Sequence, residues 1–170
     1  MATKAATGKT VALDKKVPAF SLPQTSDKAS DKTGGKPWKL GDAAGKHLVL
    51  YFYPKDNTTG CTAEGAAFRD LHAQFRKAKT EILGISPDSI ASHEKFKAKM
   101  EFPFELLSDP DHAVATLFAV YKEKSMYGRK YMGIERSTFL IDADGVLRQE
   151  WRKVKVPGHV EAVLAAAKAL

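Results

Sequence analysis

Residues 47–78 read HLVLYFYPKDNTTGCTAEGAAFRDLHAQFRKA, which predicts a strand, a loop and a helix in direct succession. The aliphatic and aromatic run from His47 to Tyr53 is the strongest candidate in the chain for a buried strand. Pro54 to Gly60 is rich in residues that favour loops. A helix is predicted from about Thr62, because apolar side chains recur at helical spacing: Phe68, Leu71, Phe75 and Ala78. Cys61 therefore lies in the first turn of this helix.

The segments around this unit predict further alternation of strands and helices. Strands are expected within 18–23, 38–40, 81–86, 102–107, 137–141 and 146–152. Helices are expected over 89–100, after a capping Asp111, and over 159–170, whereas 122–133 is expected to be a charged loop. This order predicts an α/β domain of thioredoxin-like fold, with a central mixed sheet flanked by helices and an N-terminal β extension.

Length and composition favour one globular domain. The chain has 170 residues, of which 44% are hydrophobic and 28% charged. Residues 1–10 have almost nothing to bury and are expected to form a disordered basic tail, followed by a single domain over 11–170. No apolar run is long enough for a membrane helix or an export signal, so we expect no membrane association and a cytoplasmic location.

The net charge of +7 raises the possibility of a nucleic-acid partner. Residues 1–16 hold four lysines and one aspartate, a net +3, which leaves +4 spread over the rest of the chain. A nucleic-acid-binding protein concentrates its charge on one face and interleaves aromatic residues with it. We therefore expect no specific nucleic-acid partner, and a basic binding module is retained only as an alternative function.

Cys61 is the single cysteine of the sequence. One cysteine excludes an intramolecular disulfide, a cysteine-rich zinc site and a C-x-x-C dithiol. The unpaired N–H groups and the positive dipole end at a helix start favour the reactive thiolate. The same helix end could bury an inert thiol, so composition and position leave both interpretations open.

The residues around Cys61 resemble a known signature. Pro54, Thr58 and Cys61 match the pattern Pro-x-x-x-Thr-x-x-Cys of the peroxiredoxins. The longer stretch 50–70 is similar to the branch called bacterioferritin comigratory protein, or peroxiredoxin Q. Further similar segments extend the resemblance from about Val17 to the C-terminus: 84–89, 106–109, 135–142 and 151–159.

The resemblance implies a role for each matching residue. Cys61 corresponds to the peroxidatic cysteine, which attacks peroxide and becomes a sulfenic acid. Thr58 corresponds to the threonine that orients the peroxide, although it could simply cap the helix. Pro54 corresponds to the proline that shields the site from water, or it merely ends a strand. Arg136 corresponds to the arginine that approaches the sulfur, the alternative being a surface salt bridge.

Glu64 has two possible roles on the sequence evidence. It lies one turn after Cys61 and could pair with an arginine near the site. It could equally be an acidic residue favoured by the helix dipole near the N-terminus.

Metals and cofactors are not implied by the resemblance, since peroxide reduction of this kind needs only a thiolate and hydrogen-bond donors. Each histidine stands alone without ligand spacing, and none is interpreted as a metal ligand: His47, His72, His93, His112 and His159.

We expect hydrogen peroxide and small organic hydroperoxides as substrates of a thiol-dependent peroxidase.

The chain departs from its relatives at the second cysteine. Many members of the branch have one five residues after the first, where this chain has Ala66, and others place it near the position of Lys97. The sulfenic acid would then be resolved by an external thiol, such as thioredoxin, glutaredoxin or glutathione. We expect the protein to be a monomer or a weak homodimer. The alternative function within redox biology is a sensor, in which oxidation of Cys61 changes a contact with a partner.

Overall fold

The computed structural model describes residues 10–26 and 36–170. Its strands are β1 (Ser21–Leu22), β2 (Trp38–Lys39), β3 (His47–Phe52), β4 (Thr80–Ser86), β5 (Glu105–Ser108), β6 (Tyr121–Met126), β7 (Arg129–Ile134), β8 (Ser137–Ile141) and β9 (Leu147–Trp151). Its α-helices are α1 (Thr59–Lys77), α2 (Ile90–Met100), α3 (Ala113–Leu117) and α4 (His159–Lys168), and a 3₁₀ helix covers Leu40–Ala43. The predicted tail lies outside the described residues except for Thr10, and the single domain over 11–170 stays a prediction.

The central sheet has five strands in the order β5-β4-β3-β8-β9. β3 pairs in parallel with β4, and β4 with β5, whereas β8 runs antiparallel to both β3 and β9. The sheet is therefore mixed, as the final hairpin predicted. β1 and β2 form a separate antiparallel pair, which confirms the N-terminal β extension.

The alternating side chains of β3 divide the core into two layers. Leu48, Leu50 and Phe52 pack on one face with α3 and the β1–β2 pair. Val49 and Tyr51 point the other way, into a layer that also contains Cys61 and apolar residues of α1, α2 and α4. A strand covered on both faces explains why its sequence is almost continuously apolar. The layered arrangement confirms the predicted thioredoxin-like fold class.

The prediction of a charged loop over 122–133 is wrong. Residues 121–134 form the β6–β7 hairpin, in which Met126 pairs with Arg129 across a two-residue turn. Most side chains on both of its faces are exposed, so the hairpin lacks the apolar alternation by which a strand is recognised. Its turn consists of Tyr127 and Gly128, without the Asn-Gly or Asp-Gly pair that signals a hairpin in a sequence.

The expected cap of α3 is also wrong. The helix begins at Ala113, and Asp109 rather than Asp111 accepts hydrogen bonds from the backbone N–H groups of Val114 and Ala115, at 3.2 and 2.8 Å. Asp109 reaches these groups because His112 has a left-handed backbone that folds the chain back. A capping side chain usually comes from the residue directly before the helix. A cap supplied by a more distant residue such as Asp109 is therefore not recognised from the sequence.

Within the described ranges, no helix combines the length and apolar character required to cross a membrane.

Candidate active site

Cys61 occupies the third position of α1, directly below the loop that follows β3. The extended backbone of Thr58 places it at the N-cap, and the Thr62 N–H donates to its carbonyl oxygen at 2.8 Å. The Cys61 side chain is almost fully buried, with 1% of the residue exposed. The sulfur therefore lies at the N-terminus of the helix, where unpaired N–H groups and the positive end of the helix dipole face it.

Arg136 reaches Cys61 from the short connection between β7 and β8. Its Nη2 donates to Cys61 Sγ at 3.3 Å, and its Nη1 donates to Glu64 Oε1 at 2.7 Å. The Glu64 side chain is fully buried, so the carboxylate and the sulfur share one guanidinium in a largely dry setting. Of the two roles that the sequence left open for Glu64, the structure supports the ion pair with the arginine.

Glu64 and Arg136 shift one another's ionisation. Burial raises the pKa of Glu64 to about 7, and the guanidinium of Arg136 opposes that rise. For Arg136, burial lowers the pKa, but the adjacent Glu64 and Cys61 outweigh this and raise it above the ordinary value. The guanidinium thus remains a fixed cation beside the sulfur.

Gly60 provides the space in which Arg136 approaches the sulfur. A Cβ atom at this position would lie only 2.9 Å from Arg136 Nη2, closer than the two can be in practice. From the sequence, Gly60 was assigned only to the loop, although a glycine directly before a reactive cysteine is a usable signal for close approach.

The remaining two predicted residues lie in the loop, but neither makes a hydrogen bond to the cysteine. Thr58 is exposed, and its Oγ1 donates to the carbonyl oxygen of Lys55 at 2.9 Å. Its side chain does not cap the helix. The hydroxyl oxygen keeps its capacity to accept a hydrogen bond. Pro54 is partly buried where the loop leaves β3.

Asp56 anchors this loop to α2. Its Oδ1 accepts from the Tyr53 hydroxyl at 2.6 Å, and its Oδ2 accepts from Ser92 Oγ at 2.8 Å and lies 2.7 Å from His93 Nδ1. The other ring nitrogen of His93 lies 2.9 Å from the carbonyl oxygen of Leu107. Both ring nitrogens of buried His93 therefore face acceptor oxygens, and the ring connects Asp56 to the backbone of Leu107. Sequence reasoning missed this contact between residues 37 positions apart.

The same contacts set the ionisation of Asp56. Burial tends to raise the pKa of this carboxyl group. The hydrogen bond and charge of His93 outweigh burial, with help from Tyr53 and Ser92, so the pKa lies below its usual range. The loop is therefore held by an ionised aspartate.

Potential metal-ligating atoms of Asp56, Asp88 and His93 lie within 4.8 Å of one another. The Asp56 oxygens and both His93 nitrogens are already engaged in hydrogen bonds. Asp88 Oδ2 accepts from the Asp56 N–H and from Ser86 Oγ, each at 2.7 Å. Hydrogen bonds already engage these atoms, and we interpret the network as a support for the loop rather than a metal centre.

The chain is similar to known proteins in both sequence and structure. The profile of the AhpC/TSA family matches residues 13–150. The curated protein named peroxiredoxin Bcp of Xanthomonas campestris is 53% identical to this chain. The match covers 85% of this chain and 91% of that protein. The corresponding protein of Bacillus subtilis is 54% identical, over 79% of this chain and 85% of the relative.

A solved structure of the bacterioferritin comigratory protein of Xanthomonas campestris is similar throughout. It is 50% identical, with a TM-score of 0.79, and the match covers 88% of this chain and 90% of that one. Peroxiredoxin Q of that species has also been solved with serine replacing each of two different cysteines. This chain differs from that relative in having one cysteine.

Proposed function

The chain belongs to the AhpC/TSA family, within its peroxiredoxin Bcp branch, and on that premise we propose that it reduces hydrogen peroxide and small organic hydroperoxides through Cys61. Membership makes it a thiol-dependent peroxidase. The observation that carries the role of Cys61 is the hydrogen bond from Arg136 Nη2 to its sulfur at 3.3 Å, at the start of α1.

The first half of the reaction oxidises Cys61. A lone pair of the thiolate sulfur attacks one peroxide oxygen, the S–O bond forms and the O–O bond breaks. The departing oxygen takes both electrons of that bond and a proton, and leaves as water or an alcohol. The products are a sulfenic acid and a molecule reduced by two electrons.

Donors around the sulfur stabilise the charge that moves from sulfur to oxygen. The Arg136 guanidinium and the N–H groups at the start of α1 supply these donors, and the Thr58 hydroxyl offers an acceptor for a peroxide proton. Glu64 holds the guanidinium in place by accepting a hydrogen bond from Arg136 Nη1. Pro54 covers the loop side of the site in this proposal.

Hydroperoxides with small organic groups are included because of a relative. The structural study of the Xanthomonas campestris protein concerns its alkyl peroxide reduction activity. Identity of 50% over 88% of this chain supports a similar substrate class.

The second half of the reaction requires a thiol from another molecule. The chain has one cysteine, so its sulfenic acid cannot close an internal disulfide. An external thiolate attacks the Cys61 sulfur, water leaves, and a second thiol reduces the mixed disulfide. Thioredoxin, glutaredoxin or glutathione can supply these electrons, and a cytoplasmic location fits such reductants.

Peroxide consumption with dithiothreitol as electron donor tests the function. The protein is expected to consume peroxide catalytically, and Cys61→Ser is expected to reduce the rate to that of dithiothreitol alone. Equal consumption by both proteins would overturn the role of Cys61. One equivalent consumed without recycling would favour a redox sensor.

A further inference from the structure

The β6–β7 hairpin, residues 121–134, exposes an unusual amount of apolar surface. Six large hydrophobic side chains are exposed in the part of the chain that the structure describes, and four lie on this hairpin: Met126, Tyr127, Tyr131 and Met132. Tyr127, at the tip, is 100% exposed. Clustered apolar side chains at a surface mark interaction sites, whereas scattered ones need no explanation. Tyr and Met are also enriched at protein interfaces.

The turn holds the Tyr127 ring in solvent at a conformational cost. Tyr127 and Gly128 have φ angles of 51° and 79°, the left-handed region that a two-residue hairpin turn requires. Asn, Asp and Gly adopt this region with least strain, and a bulky aromatic residue does so rarely. Tyr127 therefore adopts a disfavoured backbone conformation although its ring does not pack into the protein core. This combination points to a contact with another molecule.

The charge of the hairpin defines the partner. It contains four cations, Lys122, Lys124, Arg129 and Lys130, and one anion, Glu123, a net charge of +3. Lys122 also pairs with Glu135 just beyond the hairpin, at 3.2 Å. An apolar surface surrounded by cations matches a partner whose contact face is apolar at its centre and acidic at its rim.

The hairpin lies beside Cys61. β7 runs directly into Glu135 and Arg136, and Arg136 contacts the sulfur. The Lys124 side chain is partly covered and packs along Gly133, where an added Cβ would meet Lys124 Cδ at 3.3 Å. Burial lowers the pKa of Lys124 and nearby Arg136 lowers it further, whereas Glu135 and Cys61 act in the opposite direction. The base of the hairpin thus adjoins the residues around the reacting sulfur, so a protein large enough to cover the hairpin from tip to base would reach the site.

We propose that the β6–β7 hairpin is the docking surface for an acidic dithiol protein, of the thioredoxin type, that reduces oxidised Cys61. This role rests on the proposed function, because it supplies the external thiol which a single cysteine requires. A small thiol needs no such surface, whereas a protein thiol must be oriented before its sulfur can reach Cys61.

A dithiol partner supplies both electrons that reduction of the Cys61 sulfenic acid requires. One thiolate of the partner attacks the sulfenic sulfur of Cys61, the S–O bond breaks, and the oxygen leaves as water after taking a proton. The partner's second thiolate then attacks the partner's own sulfur in the mixed disulfide. Cys61 leaves as a thiolate, and the partner keeps a disulfide, having lost two electrons.

The test uses a double variant, Tyr127→Asn with Arg129→Glu. Asparagine suits the left-handed turn better than tyrosine, so the hairpin is expected to fold while losing its aromatic tip and a cation. The probe is a thioredoxin of net negative charge, recycled by thioredoxin reductase and NADPH. The matched control is Leu13→Ser, which removes an exposed apolar side chain outside the hairpin.

The double variant is expected to lower kcat/KM for thioredoxin by about tenfold or more, as loss of an interface anchor does. Oxidation by peroxide and turnover with dithiothreitol should stay within about twofold of wild type, and Leu13→Ser should behave as wild type. Higher salt should weaken the wild-type reaction with thioredoxin.

Three results would overturn docking at the hairpin: an unchanged kcat/KM for thioredoxin, an equal loss with dithiothreitol, or a wild-type protein that recycles with dithiothreitol but never with thioredoxin. Failure of the proposed function is a different result, since wild type would then consume no peroxide with dithiothreitol either.

Discussion

Arg136 donates a hydrogen bond from Nη2 to the sulfur of Cys61 at 3.3 Å, although the two residues are 75 positions apart. The other arm of the same guanidinium is fixed to buried Glu64 at 2.7 Å. The cation therefore does not depend on the sulfur for its position. It is present at the site whether Cys61 is a thiol, a thiolate or a sulfenic acid, which is the preorganisation that a charge-transferring reaction requires.

Removing this cation should slow the first half of the reaction. Arg136→Met is expected to lower the rate constant for oxidation by hydrogen peroxide by about a hundredfold, because a donor to the developing charge is lost. Iodoacetamide should also alkylate Cys61 more slowly at neutral pH. Stopped-flow oxidation and timed alkylation measure the two effects. Arg148→Met, which removes a half-exposed arginine paired with Asp142, should leave both rates unchanged.

The space at Gly60 gives a second test of the same contact. Gly60→Ala would place a Cβ atom 2.9 Å from Arg136 Nη2, so the guanidinium must move away from the sulfur. Oxidation by peroxide should slow by about tenfold, since the donor is displaced but not deleted. The control is Gly41→Ala, because a Cβ there meets nothing within 4 Å. Equal rates in both variants would show that Arg136 does not need this space.

Glu64 should make stability depend on pH. Its pKa is about 7 in the folded protein against an ordinary 4.5, so between these values the folded state binds more protons than the unfolded state. The free energy of unfolding therefore falls as pH rises through this window, and the stabilisation is complete only below it. Glu64→Gln cannot titrate and should flatten this part of the profile.

Urea unfolding under reducing conditions at about pH 5 and about pH 8 measures that difference. Exposed Glu161→Gln is the control and should keep the wild-type slope. A Glu64→Gln protein with the same decline in stability would show that another group is responsible.

Asp56 and His93 should hold the loop that precedes Cys61. Asp56→Asn removes the carboxylate that buried His93 contacts at 2.7 Å and should lower the free energy of unfolding by about 3 kcal/mol. The pKa of Asp56 is lowered, so its contribution is present above the unfolded value of 3.8 and is lost as pH falls through the folded one. Denaturant unfolding at neutral and acidic pH follows both effects. Asp70→Asn, at an exposed position, should change little.

Local pattern was sufficient to predict much of the fold. The apolar run of β3 and the period of α1 were recognised because each depends on burial of neighbouring residues in one element. β8 was predicted with its observed limits, Ser137 to Ile141. The position of Cys61 in the first turn of α1 followed from where the loop ends.

The contacts that were missed join residues far apart in sequence. The pair Asp56–His93 is 37 positions apart and was not predicted, whereas pairing of Glu64 with an arginine, found at Arg136 72 positions away, was one of two roles that the sequence left open. The β6–β7 hairpin was missed for another reason, because strands exposed on both faces lack an apolar alternation. In each case the deciding interaction is tertiary or lies outside the core, where a single sequence carries little signal.

The most direct measurement is the intact mass of the protein after one equivalent of hydrogen peroxide, before and after addition of glutathione. We expect a gain of one oxygen atom at Cys61, its replacement by a glutathione mixed disulfide, and recovery of the original mass with dithiothreitol. Cys61→Ser should show none of these changes. An unchanged mass, or an added oxygen that maps to one of the four methionines and persists in Cys61→Ser, would show that Cys61 is not the residue that peroxide oxidises.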